Sequence, residues 1–439
     1  MTSQSSFVPS LRVAALCALA AASAQAQSST VSTTVSPPVS TTVPQPSAAD
    51  RALAVKVLRE TPLIDGHNDL PWRIREDTVR PADVPAYDLT KHMAGMTDLD
   101  RLKKGMLGAQ FWSVYIPGEP ADRLYLPNGK VSSQPGYARV QLEQIDIARR
   151  TIAAYPDRLE WATTAADVRR AFKDGKVGSM LGMEGGHAIE NSLGALRAFY
   201  DLGVRYMTLT HNVTLDWADA ALDSARHGGL TPFGKEVVRE MNRMGMLVDL
   251  SHVSPGTMSD ALTVAEAPVI FSHSGARALV DHRRNVPDSI LRRVPKNGGI
   301  VMVPFVTDFV SKAAFARDEA AAAQRAALKT QFPDDSAARQ RGMKEWAAAH
   351  PSPPVMLTDV ADHIAHVRQV AGVDHVGIGS DFDGITDTVV GLEDVSKYPD
   401  LFAELARRGW TEADLRKLAG ENLLRVMTQA EVVAARLQR

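Results

Sequence analysis

From residue 50 onward the chain alternates two hydrophobic patterns. Short apolar, β-branched runs that end on polar residues are separated by stretches whose apolar positions recur with a helical period. Eight such runs occur: Leu63 to Asp65, Ala109 to Ile116, Val177 to Met183, Tyr206 to Thr210, Met246 to Leu250, Val269 to Ser272, Gly299 to Phe305 and His375 to Ser380. Between them, Tyr137 to Tyr155 and Leu193 to Leu202 carry helical spacing, and Gly203 stands where a helix C-terminus belongs. Strands alternating with helices predict a parallel sheet with right-handed crossovers, and eight is the number of strands a (β/α)8 barrel needs. The expected fold is therefore α/β, a TIM-type barrel. Ser311 to Ala349, rich in Ala, Arg, Gln and Lys, predicts a helical insertion after the seventh run, set either over the barrel mouth or out in solvent.

The first 26 residues read as an export signal: Arg12, the apolar run Val13 to Ala22, then Ala24-Gln25-Ala26 as a small-x-small cleavage site. Residues 27–49 are uncharged and mostly Ser, Thr, Val and Pro, a composition too poor in apolar surface to order itself, so they are expected to form a disordered leader. Asp50, just before RALAVKVLRE, is the expected N-cap of the first helix and the start of a domain covering residues 50–439. No later segment reaches the ~18 uninterrupted apolar residues of a membrane span. Cys17 is the only cysteine and Leu16 before it is not small, so neither a disulfide nor a lipid anchor is expected in the mature chain. Hydrophobic residues at 45% and charged ones at 23% describe an ordinary globular protein, and a net charge of -2 offers no footprint for nucleic acid or an anionic membrane. An exported protein, periplasmic or secreted and not inserted in a membrane, is expected.

Candidate chemistry sits at the run ends. The first ends DGHND (65 to 69), the third MEGGH (183 to 187), the fourth LTHN (209 to 212), the fifth DLSH (249 to 252), the sixth FSHS (271 to 274) and the eighth GSDFDG (379 to 384). In a barrel all of these converge on one face, where the active site lies. His67 and Asp69 point the same way in an extended segment, so both can reach one ion. With Glu184, His252 and His273 they make three imidazoles and two carboxylates without thiolate, the donor set of zinc or a similar divalent ion. Five ligands exceed what one catalytic ion uses while keeping an open position. They suit two ions sharing a carboxylate, or one ion with supporting groups around it.

DGHNDLPW (65 to 72), EGGH, LTHN, DLSHVS (249 to 254), FSHS, RRNVPD (283 to 288) and GSDFDG occur in that order, and NLLR (422 to 425) follows. As a set they resemble the membrane dipeptidase, or renal dipeptidase, family of zinc peptidases from about residue 60 to Leu424. The resemblance implies a barrel of the metal-dependent hydrolase type that cleaves dipeptides at two zinc ions. It makes His67 and Asp69 ligands of one zinc, Glu184 the bridge, and His252 and His273 ligands of the other. It makes His211 and Arg284 substrate-binding, Asp381 the acid/base and Trp72 a wall of the pocket. Two zinc ions ~3.5 to 4 Å apart turn a bridging water into hydroxide near neutral pH. His211 would then donate to the developing oxyanion, and the planar fork of Arg284 would hold a free C-terminal carboxylate.

Family members from animals carry a tyrosine where this chain has Val306, and they are often disulfide-linked and lipid-anchored. Here a non-covalent homodimer is the expectation. A related hydrolase of N-acyl amino acids, lactones or β-lactams is the alternative, and a binding protein on the same scaffold a more distant one. Among the remaining histidines, His363 and His366 are expected on a solvated helix face, and His187 as a possible neighbour of the ligands. His92, His227, His282, His350 and His375 have no supporting constellation. Asp65 is expected to support the first strand end or a ligand imidazole, and Asp383 to orient a neighbour or its loop.

Overall fold

The computed structural model describes residues 45–118 and 136–439. The export signal read at 1–26 and the leader as far as residue 44 lie outside the described residues. The first helix, Ala48–Glu60, is capped by Ser47 and not by Asp50: Asp50 takes the third helical position, and its carboxylate and the Ser47 hydroxyl satisfy each other's backbone N–H groups. The helix thus begins two residues inside the stretch assigned to the leader.

Nine parallel strands follow among the described residues: β1 (Leu63–Asn68), β2 (Leu107–Ser113), β3 (Leu159–Trp161), β4 (Val177–Glu184), β5 (Val204–Thr208), β6 (Leu247–Asp249), β7 (Ile270–Phe271), β8 (Ile300–Val303) and β9 (Val376–Ile378). Eight close a ring in the order β2-β1-β9-β8-β7-β6-β5-β4, with β4 paired back to β2, and helices surround it. This is a TIM barrel, and each of the eight apolar runs supplies one strand of it. Only β3 was not anticipated. It lies along Val177 to Ser179 of β4, beside the stretch Leu181 to Glu184 that pairs with β5, and at three residues it is too short to carry a period.

The strands look continuously apolar because both of their faces are buried. Ile64, Phe111, Met180, Leu247, Ile270, Ile300 and Met302 belong to a cluster inside the ring, closed from below by Leu423, Leu424 and Met427 of the last helix, Asn422–Leu437. Their neighbours Leu63, Leu181, Val248, Phe271, Val301 and Val303 face the surrounding helices. The inward positions nearest the strand ends are polar, which is how Glu184 and Asp249 come to look into the mouth.

The insertion is a helical hairpin, Lys312–Gln331 followed by Ser336–Ala349, with Arg317 stacked over Trp346 at one end and Leu328 against Gly342 nearer the turn. Only its base reaches the barrel. Ala314, Arg317 and Asp318 border a cavity of about 600 Å³ shared with Val306, Asp308 and Gly384, while most of the hairpin is exposed.

His363 departs from expectation. It is 1% exposed, inside helix Leu357–Ala371, and its Nδ1 accepts the Ala276 backbone N–H at 3.0 Å; His366 instead pairs with Asp288 at 2.8 Å. Burial, reinforced by His366, pushes the His363 pKa down to about 4. A histidine depressed in the folded state favours unfolding once the unfolded chain can take up its proton, so stability declines from about pH 6.5 down to about pH 4. We expect the stability difference between wild type and His363→Gln in urea unfolding to shrink by on the order of 3 kcal/mol between pH 7 and pH 4. His282, whose pKa burial also lowers to about 4, is common to both proteins and cancels. A difference that does not move with pH would refute the assignment.

Candidate active site

The strand ends bring His67, Asp69, Glu184, His252 and His273 into one buried cluster at the barrel mouth. Glu184 is its centre. Its Oε1 lies 2.9 Å from His252 Nε2 and 3.3 Å from His273 Nε2, and its Oε2 lies 3.5 Å from His67 Nε2. His67 Nε2 is also 3.2 Å from Asp69 Oδ2 and 3.9 Å from Asp381 Oδ1. Asp381 therefore joins the cluster on the Asp69 side. Gly384 makes room for this, because a Cβ there would run into the Asp69 and Asp381 carboxylates.

All three imidazoles present Nε2 to the centre, and each Nδ1 is tied back. His67 Nδ1 meets the Tyr206 hydroxyl at 2.8 Å, and that hydroxyl donates to the Gly66 carbonyl. His273 Nδ1 meets Ser272 Oγ at 2.8 Å, and Ser272 donates to Asp249 at 2.6 Å. His252 Nδ1 is 3.1 Å from the Asn212 side-chain oxygen. In each case the partner's own proton is committed elsewhere or it has none, so Nδ1 donates to it and Nε2 is the nitrogen left to bind a metal once it is unprotonated, the arrangement found behind metal-bound histidines. Tyr206, Ser272 and Asn212 were not singled out from sequence. Tyr206 has room only because Gly182, opposite it on β4, has no side chain.

Asp65 and Asp249 hold the strand ends in shape. Asp65 accepts the His67 and Ser380 N–H groups and the Ser380 and Tyr398 hydroxyls, and Asp249 accepts the Ser251 and Ser272 N–H groups and the Thr208 and Ser272 hydroxyls. His252 and Asp381 themselves adopt positive φ, 67° and 68°. Such backbone is costly outside glycine and persists where the surroundings enforce it.

The charges are lopsided. Burial opposes ionisation of Glu184, but His67 and the hydrogen bonds from His252 and His273 outweigh it and hold its pKa well below the usual carboxylate range. Burial, with Asp69 and Glu184 beside it, pushes Asp381 well above that range against the pull of His67 and Arg284. Burial also keeps His252 and His273 neutral, helped by Arg284, whereas Tyr206, Glu184 and Asp69 overcome burial at His67 and raise it. His67 Nε2 and Asp69 Oδ1 are buried without a hydrogen-bond partner. Orphaned donor atoms of this kind, in a set of imidazoles and carboxylates, fit a divalent cation such as zinc.

The other predicted residues line the approach. The His211 ring lies 4.4 Å from that of His252 and 4.9 Å from that of Tyr115, tilted to both, and Tyr115 makes a T-shaped contact with Trp72 at 4.9 Å. One nitrogen of His211 lies within 4.8 Å of ligand atoms of Glu184 and His252. Arg284 is 2% exposed, its Nη1 has no hydrogen-bond partner, and no carboxylate of the described residues is within ion-pair reach. Its guanidinium lies over Phe309, and burial lowers its pKa to about 10. His187 is turned away from the cluster and donates to the Ile116 carbonyl at 3.1 Å. Asp383 accepts the Met96 N–H at 2.7 Å, so it orients the neighbouring segment around Gly95 and Met96.

An eight-stranded parallel barrel with this cluster at its C-terminal mouth is the architecture of the metal-dependent hydrolases. Within that class the chain belongs to the membrane dipeptidase family, peptidase family M19, whose sequence pattern it matches over residues 51–439, and it is a metallopeptidase of that family. Its fold superposes on the probable dipeptidase PvdM from Pseudomonas aeruginosa with a TM-score of 0.73, at 24% identity over 88% of this chain and 99% of that one. It superposes on a metallo peptidase from Rhodobacter sphaeroides, solved with a phosphinate mimic of the dipeptide L-Ala-D-Ala, with a TM-score of 0.66 at 26% identity over 84% of this chain and 99% of that one. A third structure, of the metallo peptidase dipeptidase AC, gives a TM-score of 0.66 and 27% identity with the same coverage, 84% and 99%. No helix among the described residues is long and apolar enough to cross a membrane.

Proposed function

We propose that this chain hydrolyses dipeptides at a two-zinc centre. The observation that carries the reading is the division of Glu184: Oε1 faces His252 and His273, and Oε2 faces His67, whose other neighbour is Asp69. One zinc would be held by His67, Asp69 and Glu184, the other by Glu184, His252 and His273. Bound there, zinc supplies Lewis acidity and lowers the pKa of a water molecule.

The chain's own groups do the rest. Arg284, a buried cation without an ion-pair partner among the described residues, takes the C-terminal carboxylate of the substrate and confines it to short peptides. His211 donates to the scissile carbonyl oxygen as negative charge gathers on it. Asp381 accepts a proton from the attacking water as the C–O bond forms, and delivers it to the amine nitrogen as the C–N bond breaks. Trp72 and Tyr115 wall the approach. The phosphinate dipeptide mimic held by the Rhodobacter sphaeroides protein supports the same substrate class here. We further propose that residues 1–26 direct export to the periplasm or medium, where the chain acts as a non-covalent homodimer.

The test is metal content with turnover. We expect near two zinc per chain, dipeptide hydrolysis lost on chelation and restored by zinc, and little action on the same dipeptides with an amidated C-terminus. Equal turnover of the amides would move the assignment to another amide or ester, and failure of zinc to bind would overturn it.

A further inference from the structure

At the end of the barrel opposite the catalytic mouth, where Leu107, Leu159 and Val177 begin β2, β3 and β4, lies a cavity of about 650 Å³. Its charged lining is of one sign: Arg59, Lys103, Arg158, Lys173 and Lys176, with no Asp or Glu. Arg158 donates to the Leu99 carbonyl at 2.8 Å and Lys176 is 3.7 Å from Glu160, whereas Arg59, Lys103 and Lys173 have no ion-pair partner among the described residues. The floor beneath them is apolar, made of buried Leu99, Leu102 and Leu107 with Met106 and Phe172 partly exposed. Since the whole chain carries a net charge of -2, this is a local excess of positive charge.

Three of the cations end helices, Arg59 in Ala48–Glu60, Lys103 in Leu99–Lys104 and Lys173 in Ala165–Lys173, where a positive charge offsets the negative end of the helix dipole. That accounts for one cation per helix. It does not account for the cavity left open between the three helix ends, floored by leucines and of a volume that suits a small organic ligand.

We propose that this cavity binds an amphiphilic anion, with an alkyl or aryl body on the leucine floor and a phosphate or carboxylate group among the cations. Burial of the body and charge-assisted hydrogen bonds to the head act together, so neither half alone should hold. The site is remote from the catalytic cluster, and its occupancy does not depend on which substrate is cleaved there.

The test uses the full zinc-loaded chain and octyl phosphate in titration calorimetry. We expect one molecule per chain with an affinity that falls as salt rises, and binding of octanol and of inorganic phosphate weaker by at least about tenfold. The double variant Lys103→Glu/Lys173→Glu, both at exposed positions, should lose octyl phosphate binding by about tenfold or more while circular dichroism and dipeptide turnover stay as in wild type and Tm falls only by the few degrees that two reversed helix-end charges cost. Vesicles of phosphatidylglycerol distinguish the source of the anion. Co-sedimentation that the double variant abolishes assigns a lipid headgroup, and octyl phosphate binding without co-sedimentation assigns a free amphiphile. Failure of octyl phosphate to bind, equal binding by the double variant, or inorganic phosphate binding as tightly would each overturn the proposal.

Discussion

Asp381→Asn is expected to bind as much metal as wild type and to lose about a thousandfold in kcat, the scale of a removed general acid/base. Asparagine is the informative replacement because it tolerates the left-handed backbone that Asp381 adopts at φ 68°, and it keeps the volume beside Gly384. What it removes is the ability to take and return a proton. None of the five proposed ligands changes, so zinc content measured on the purified variant should match wild type, and KM should move little. A kcat within a few-fold of wild type would sink the role. Loss of zinc would mean that Asp381 is a ligand, which its 3.9 Å approach to His67 Nε2 makes a clear-cut alternative to read out.

Arg284→Met is expected to lower kcat/KM for dipeptides by about a hundredfold to a thousandfold, chiefly through KM, with zinc content unchanged. The guanidinium is buried with an unpartnered Nη1 and has no carboxylate of the described residues within ion-pair reach, so only the Phe309 ring and more distant carboxylates offset its burial. Replacing it by an apolar side chain of similar length relieves that burial, and the variant should be at least as stable to urea as wild type. The diagnostic is the comparison of a dipeptide with its C-terminal amide. Wild type should discriminate strongly between the two, and Arg284→Met should not. A variant that still prefers the free carboxylate would require another group to bind it.

How far such a site can be read from residues depends on whether the signal is local. The eight apolar runs were legible because a barrel strand buries both faces and ends in polar residues, whereas β3 offers three residues and no period. The five ligand candidates and Asp381 announce themselves by type and by position at run ends. Their supports do not: Tyr206, Ser272 and Asn212 reach their imidazoles from other strands or by a turn of the backbone, and only assembly brings them there. Two departures were in fact written locally. Ser47 stands three residues before Asp50, the spacing of a capping box. His363 falls between Val360, Ile364 and Val367, all fully buried, so it lies inside the apolar stripe of its helix and not on the solvated face. The unpaired burial of Arg284 had no local signature beyond its motif.

The anchoring of Asp65 bears on how the protein is made. The segment that carries His67 and Asp69 is among the first of the barrel to be synthesised, yet the Ser380 groups that fix Asp65 come 315 residues later and the Tyr398 hydroxyl 333 residues later. A chain that stops before residue 380 would contain all five proposed ligand residues and still lack the groups that fix the strand end carrying His67 and Asp69. If the proposed zinc site is right, metal loading is expected to come late in the life of this chain, with closure of the ring by its last strand and not with the appearance of the ligand residues.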